Sequence, residues 1–63
     1  MSNVLLKLPA VQAKTGLSRS SIYLWMSRGD FPTAVPVGAR SIAWVEKEVD
    51  EWVSKRIKAR QQS

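Results

Sequence analysis

From Thr15 to Gly29 the chain reads Thr-Gly-Leu-Ser-Arg-Ser-Ser-Ile-Tyr-Leu-Trp-Met-Ser-Arg-Gly, and both ends of one helix are written into it. Thr15-Gly16-Leu17 makes a tight turn, where Gly16 supplies a positive φ without bulk. Ser18 offers a side-chain oxygen to the exposed N–H groups of a new first turn. Arg19 to Arg28 can then run as a helix, and Gly29 is placed to end it in a left-handed cap.

The residues of this helix divide by face. At about 100° per residue, Ile22, Trp25 and Met26 share one side, with Ser18 and Gly29 at its margins. Ser20, Tyr23, Leu24 and Ser27 share the other, flanked by Arg19 and Arg28. The first side is a core stripe. The second is small, polar and basic with one aromatic hydroxyl, which suits phosphate oxygens and base edges in a DNA major groove. A solvated surface helix is the plainer alternative for this face alone, so the flanking elements decide.

Upstream, Leu8-Pro9-Ala10-Val11-Gln12-Ala13-Lys14 reads as a short helix. A proline at a first helical position is tolerated because its missing N–H would be unsatisfied anyway, and Ala, Gln and Lys propagate well. Leu8 and Val11, with Leu17 beyond the turn, are expected to face the Ile22/Trp25/Met26 stripe. Two short helices joined by about three residues including a Gly form a helix-turn-helix.

Downstream, Pro32 forces Phe31 out of helical geometry, which turns Phe31 back onto the core. Ala34-Val35-Pro36-Val37 and Ser41-Ile42-Ala43-Trp44 are β-rich runs around Gly38-Ala39-Arg40, a small hairpin with a basic tip. Pro36 confines its strand to an edge or an unpaired position. Such a hairpin is marginal alone and must lean on the helices. Beside a helix-turn-helix it resembles a DNA-binding wing, with Arg40 on its tip; a structural hairpin with one solvated Arg is the alternative.

Val45 to about Arg60 reads as the longest helix, with Val45, Val49, Trp52, Val53 and Ile57 forming an apolar stripe. Glu46, Glu48, Asp50 and Glu51 come early and Lys55, Arg56, Lys58 and Arg60 late, an order that complements the helix dipole. That order explains most of the helix's charge without invoking a ligand. Residues 1–7 read as an arm with a short strand at Val4–Leu6, and residues 61–63 as a frayed tail.

The 63 residues are expected to form a single domain. A chain of this length buries only about 60% of the surface its unfolded form exposes, so large side chains must anchor the core. Trp25, Trp44 and Trp52, one in each of three segments, are the candidates, each able to bury roughly 150–250 Å². Residues 1–44 carry five basic side chains against Asp30 alone, while residues 45–63 carry five against four acidic ones. The nearly unopposed positive charge therefore lies with the proposed recognition helix and points to a polyanionic partner.

The chain has no Cys and no His, which removes disulfides, a thiolate nucleophile, the commonest metal ligand and the usual neutral-pH base. No Gly-rich phosphate loop or nucleophile constellation appears. The reading is a non-enzyme without cofactor or metal. No apolar run approaches the ~20 residues of a membrane span and no signal-peptide pattern begins the chain, so a cytoplasmic setting is expected.

Taken together, Leu8-Pro9-Ala10-Val11, Thr15 through Tyr23, Gly29-Asp30-Phe31-Pro32, Gly38-Ala39-Arg40-Ser41, Trp44 and Glu48-Val49-Asp50-Glu51-Trp52 resemble the AlpA family of phage-type transcriptional regulators. That family is related to excisionases and MerR-type DNA-binding domains. The resemblance covers roughly residues 5–53 in unbroken order. It implies an α+β, mainly helical fold, a small winged helix-turn-helix with three helices and a short β-hairpin wing. It also implies a sequence-specific double-stranded DNA-binding regulator of a prophage or mobile element. The sequence departs from the family pattern at Leu24 and Val45, where basic or polar residues are common.

The candidate DNA-binding residues are Lys14, Ser18, Arg19, Ser20, Ser21, Tyr23, Leu24, Ser27, Arg28 and Arg40. Of these, Arg19, Arg28, Lys14 and Arg40 would contact the backbone, and Ser20, Tyr23, Leu24 and Ser27 would read bases. An excisionase-like architectural factor, working with an integrase or with copies of itself on adjacent sites, shares the same fold. A small protein-interaction module that binds no nucleic acid is the third reading, with Leu24 and the aromatics as its anchors.

Overall fold

The computed structural model describes residues 4–62. The first three residues of the expected arm and Ser63 of the expected tail lie outside the described residues. In chain order the elements are β1 (Leu5–Leu6), α1 (Leu8–Thr15), α2 (Arg19–Ser27), β2 (Val35–Pro36), β3 (Ile42–Val45) and α3 (Glu46–Gln62). Three helices and a small antiparallel sheet make an α+β fold of the winged helix-turn-helix kind.

The corner between α1 and α2 is built by two side chains and one glycine. Gly16 stands at φ 72° and its N–H donates to the Gln12 carbonyl at 2.7 Å, closing α1 with a left-handed cap. The Thr15 hydroxyl donates to the Val11 carbonyl at 2.8 Å and accepts the Leu17 N–H at 3.2 Å, which ties the turn to the helix before it. Ser18 then caps α2 as the sequence predicts, its Oγ accepting the Ser21 N–H at 3.2 Å.

At the other end of α2, Gly29 has φ 76°. Its N–H reaches the Met26 carbonyl at 3.1 Å, and the Asp30 N–H reaches the Trp25 carbonyl at 2.9 Å. This pair of bonds is a Schellman motif, which satisfies carbonyls that a helix end leaves open. The helix stops at Ser27, one residue short of the expected Arg28, because Arg28 is already part of the cap.

The sheet is larger than the expected hairpin. Its strand order is β1-β3-β2, so β3 is central. Leu5 pairs with Val45 and Leu6 with Trp44, and the Glu46 N–H donates to the Val4 carbonyl at 2.8 Å. The arm is thus stitched to β3. Val45, expected to open the last helix, is a strand residue instead, since its β-branched side chain suits the pairing with Leu5. On the other side Val35 pairs with Ala43 and Pro36 with Ile42. The first hairpin strand is only two residues long, and Pro36 lies on the sheet edge, where its missing N–H breaks no ladder. The bond from the Val37 N–H to the Ser41 carbonyl at 2.9 Å closes the loop around Gly38, Ala39 and Arg40.

Leu6, Val11, Ile22, Phe31, Trp44 and Val49 form the buried cluster, one or more from each of α1, α2, α3, the sheet and the loop after α2. Phe31 folds back onto the core as expected. The three tryptophans do not share the role expected of them. Trp44 is fully buried, whereas Trp25 and Trp52 are only half-buried and pack on the edge of the cluster. The stripe of α3 is also shorter than expected. Val49 is buried, but Ile57 is 48% exposed, because α3 continues past the body it packs on and residues 54–60 are exposed.

Candidate nucleic-acid interface

The outer face of α2 is assembled as its periodicity requires. Ile22 is fully buried and Trp25 and Met26 are half-buried against the core. Ser20, Tyr23, Leu24 and Ser27 are exposed, with Arg19 and Arg28 at the two ends. Tyr23 keeps 38% of its surface open and Leu24 49%, large values for an aromatic and a leucine in a small fold. The Arg19 guanidinium lies 5.6 Å from the centre of the Tyr23 ring, which places a cation and a phenol side by side at the start of the helix.

Hydrogen bonding sorts the serines. The Ser27 hydroxyl donates to the Leu24 carbonyl at 2.7 Å, so its hydrogen is committed within the helix and its lone pairs face outward. Ser18 and Ser21 are committed to the cap, their hydroxyl oxygens 3.0 Å apart, and Ser21 is half-buried. Ser20 is exposed. The first turn of α2 holds no acidic residue, so the partial positive charge of the helix N-terminus is reinforced by Arg19 and left unopposed.

The remaining two candidates sit elsewhere. Arg40 is exposed in the loop that joins β2 to β3. Lys14, in the last turn of α1, is engaged by α3: its ammonium is 2.9 Å from Asp50 and 3.5 Å from Glu46. The hydrogen bond to Asp50 raises the Lys14 pKa above its ordinary value, with the Glu46 carboxylate adding to the same effect. Residues Arg19, Ser20, Tyr23, Leu24 and Ser27 are therefore brought together on one helix with Arg28 in its C-terminal cap, while Lys14 is spent largely on joining α1 to α3.

Sequence reasoning missed the attachment of α2 to α3. The Arg56 guanidinium lies 4.3 Å from the Trp25 ring centre and 4.9 Å from that of Trp52. The two indoles meet edge-on at 6.4 Å, and Phe31 meets Trp52 at 4.9 Å. The Trp52 Nε1–H donates to the Asp30 carbonyl at 2.6 Å. In the sequence Arg56 is one of several late charges that complement the helix dipole. Its position on the same α3 face as Val49 and Trp52 was the available signal. Beside this cluster, an open groove of about 670 Å³ runs between residues 29–33 and α3.

The sequence model of the family described as Prophage CP4-57 regulatory protein (AlpA) matches residues 4–57, which include every element above but the end of α3. The chain belongs to the AlpA family. A relative from Escherichia coli (strain K12), the DNA-binding transcriptional activator AlpA, is 45% identical over 60 residues, covering 86% of each chain. A second, the uncharacterized protein ORF88 of Enterobacteria phage P4, is 42% identical over 55 residues, covering 87% of this chain and 62% of its own. The part of the chain matched by the AlpA model contains both the α2 face and the β2–β3 loop.

Proposed function

We propose that this chain is a sequence-specific double-stranded DNA-binding regulator of transcription, carried by a prophage or another mobile element. The observation that carries the reading is the exposed face of α2: two arginines, two serines, a tyrosine and a leucine with no carboxylate among them, backed by the buried Ile22. The α2 helix would lie in the major groove. Arg19 and Arg28 would hold phosphates, and Ser20, Tyr23, Leu24 and Ser27 would meet base edges, Leu24 against a thymine methyl. The committed hydrogen of Ser27 makes its oxygen an acceptor for a cytosine or adenine amino group.

The β2–β3 hairpin would rest on the flanking backbone or in the minor groove through Arg40. Ser18 and Ser21 would act mainly by fixing the first turn, and Lys14 mainly by fixing α1 on α3. The names of the relatives support this reading, since one is a DNA-binding transcriptional activator and another comes from a phage. No helix among the described residues is long and apolar enough to cross a membrane.

Unbiased selection of bound duplexes from a random pool tests the proposal. A recurring site should emerge, with affinity for it falling steeply as salt is raised. A pool that stays random through successive rounds would refute sequence-specific recognition.

A further inference from the structure

Building on the DNA-binding reading, we propose that Arg56, on α3, is a positioning residue for the recognition helix and sets base discrimination without touching DNA. The guanidinium is flat, delocalised and weakly hydrated, so it can lie against two indoles at once. It does so here, at 4.3 Å from Trp25 and 4.9 Å from Trp52. Trp25 belongs to α2 and Trp52 to α3, so the cation joins the recognition helix to the scaffold. The backbone of α2 makes few close approaches to other elements. Its pose is accordingly set by long side chains rather than by tight backbone packing.

The grip falls on the C-terminal end of α2. There the Trp52 indole donates to the carbonyl of Asp30, the residue that completes the helix's cap. Ile22 is the one fully buried side chain of α2, and toward that end Trp25 and Met26 are only half-buried against the cluster. The apolar stripe supplies one fixed point, and the Trp25–Arg56–Trp52 stack supplies the second. Two points define the angle at which Tyr23, Leu24 and Ser27 are offered to a groove. Base contacts depend on that angle to a fraction of an ångström, whereas phosphate contacts from flexible arginines tolerate a tilt.

The test compares two duplexes, the one selected by the wild-type protein and a random-sequence duplex of equal length, each titrated at several salt concentrations. Arg56→Ala should lower affinity for the selected duplex roughly tenfold. Affinity for the random duplex and the salt slope should stay unchanged, and the near-ultraviolet circular dichroism of the coupled indoles should fall. Arg56→Lys keeps the charge but not the flat double contact, and should give an intermediate ratio. It carries the same comparison if the alanine variant does not fold.

Equal losses on both duplexes with a slope reduced by about one unit would place Arg56 on a phosphate and overturn the proposal. A lower Tm with an unchanged affinity ratio would reduce it to a structural residue and overturn it as well. Absence of any preferred duplex for the wild-type protein is a separate result, which refutes the DNA-binding reading itself.

Discussion

Trp44 is fully buried in the centre of the sheet, and its indole N–H has no acceptor among the described residues. Its contribution is therefore the apolar area of two fused rings. A chain of about 60 residues has a total stability of roughly 3–9 kcal/mol, and truncating a buried tryptophan costs about 3–5 kcal/mol. Trp44→Ala should leave most molecules unfolded at 37 °C by thermal melting. Trp44→Phe also removes the unpaired N–H and should cost markedly less. Equal destabilisation by the two substitutions would contradict the view that buried ring area is what Trp44 contributes.

At the same scale, Arg40 carries an exposed charge on a hairpin loop with no packing role to lose. Arg40→Ala should leave the Tm nearly unchanged, weaken binding to every duplex, and lower the salt slope by about one unit. An unchanged slope would remove Arg40 from the interface.

Helix α2 owes its limits to chemistry at its two ends. Ser18→Ala removes the oxygen that caps the Ser21 N–H and should cost about 1 kcal/mol in denaturant unfolding. Gly29→Ala forces a Cβ into a left-handed conformation at φ 76° and should cost about 1–2 kcal/mol. These two features were legible in the sequence because caps are local: Ser18, Gly16 and Gly29 act on neighbours a few residues away. The β1–β3 ladder was not, since Leu5 and Leu6 find partners about 40 positions later and two residues carry too little pattern to announce them. Val45 was misread for the same reason: it fits the periodicity of α3 and the pairing of β3, and only the fold decides between them. The outer face of α2 followed from its 3.6-residue period. The commitment of Lys14 to Asp50 could not be read, because it joins elements through space, and that of Arg56 to two indoles left only its place on the Val49/Trp52 face of α3 as a sign.

The link between α1 and α3 also carries a pH signature. Lys14 has its pKa raised by Asp50, so the ion pair contributes fully at neutral pH, below the pKa of an unfolded lysine. That contribution fades only as alkaline pH passes through the raised folded value. The Tm of wild type and Lys14→Met should therefore converge at strongly alkaline pH and differ at pH 7. A constant difference across that range would show that the pair adds nothing.

The whole molecule measures 42 × 30 × 20 Å. A single module of this size covers only about 600–1,000 Å² of protein surface on DNA. Useful specificity would then call for several copies on adjacent sites, or for a partner, and the first is the one we predict. Sedimentation with the selected duplex should give at least two protein chains per site; saturation by one monomer would contradict this. The account as a whole rests on α2 presenting its polar and basic side to a duplex. Mapping backbone amide shifts by nuclear magnetic resonance while adding the selected duplex tests it most directly. The largest changes should fall between Arg19 and Arg28 and around Arg40, with the acidic first turns of α3 undisturbed. Changes centred on α3, with α2 unmoved, would contradict it.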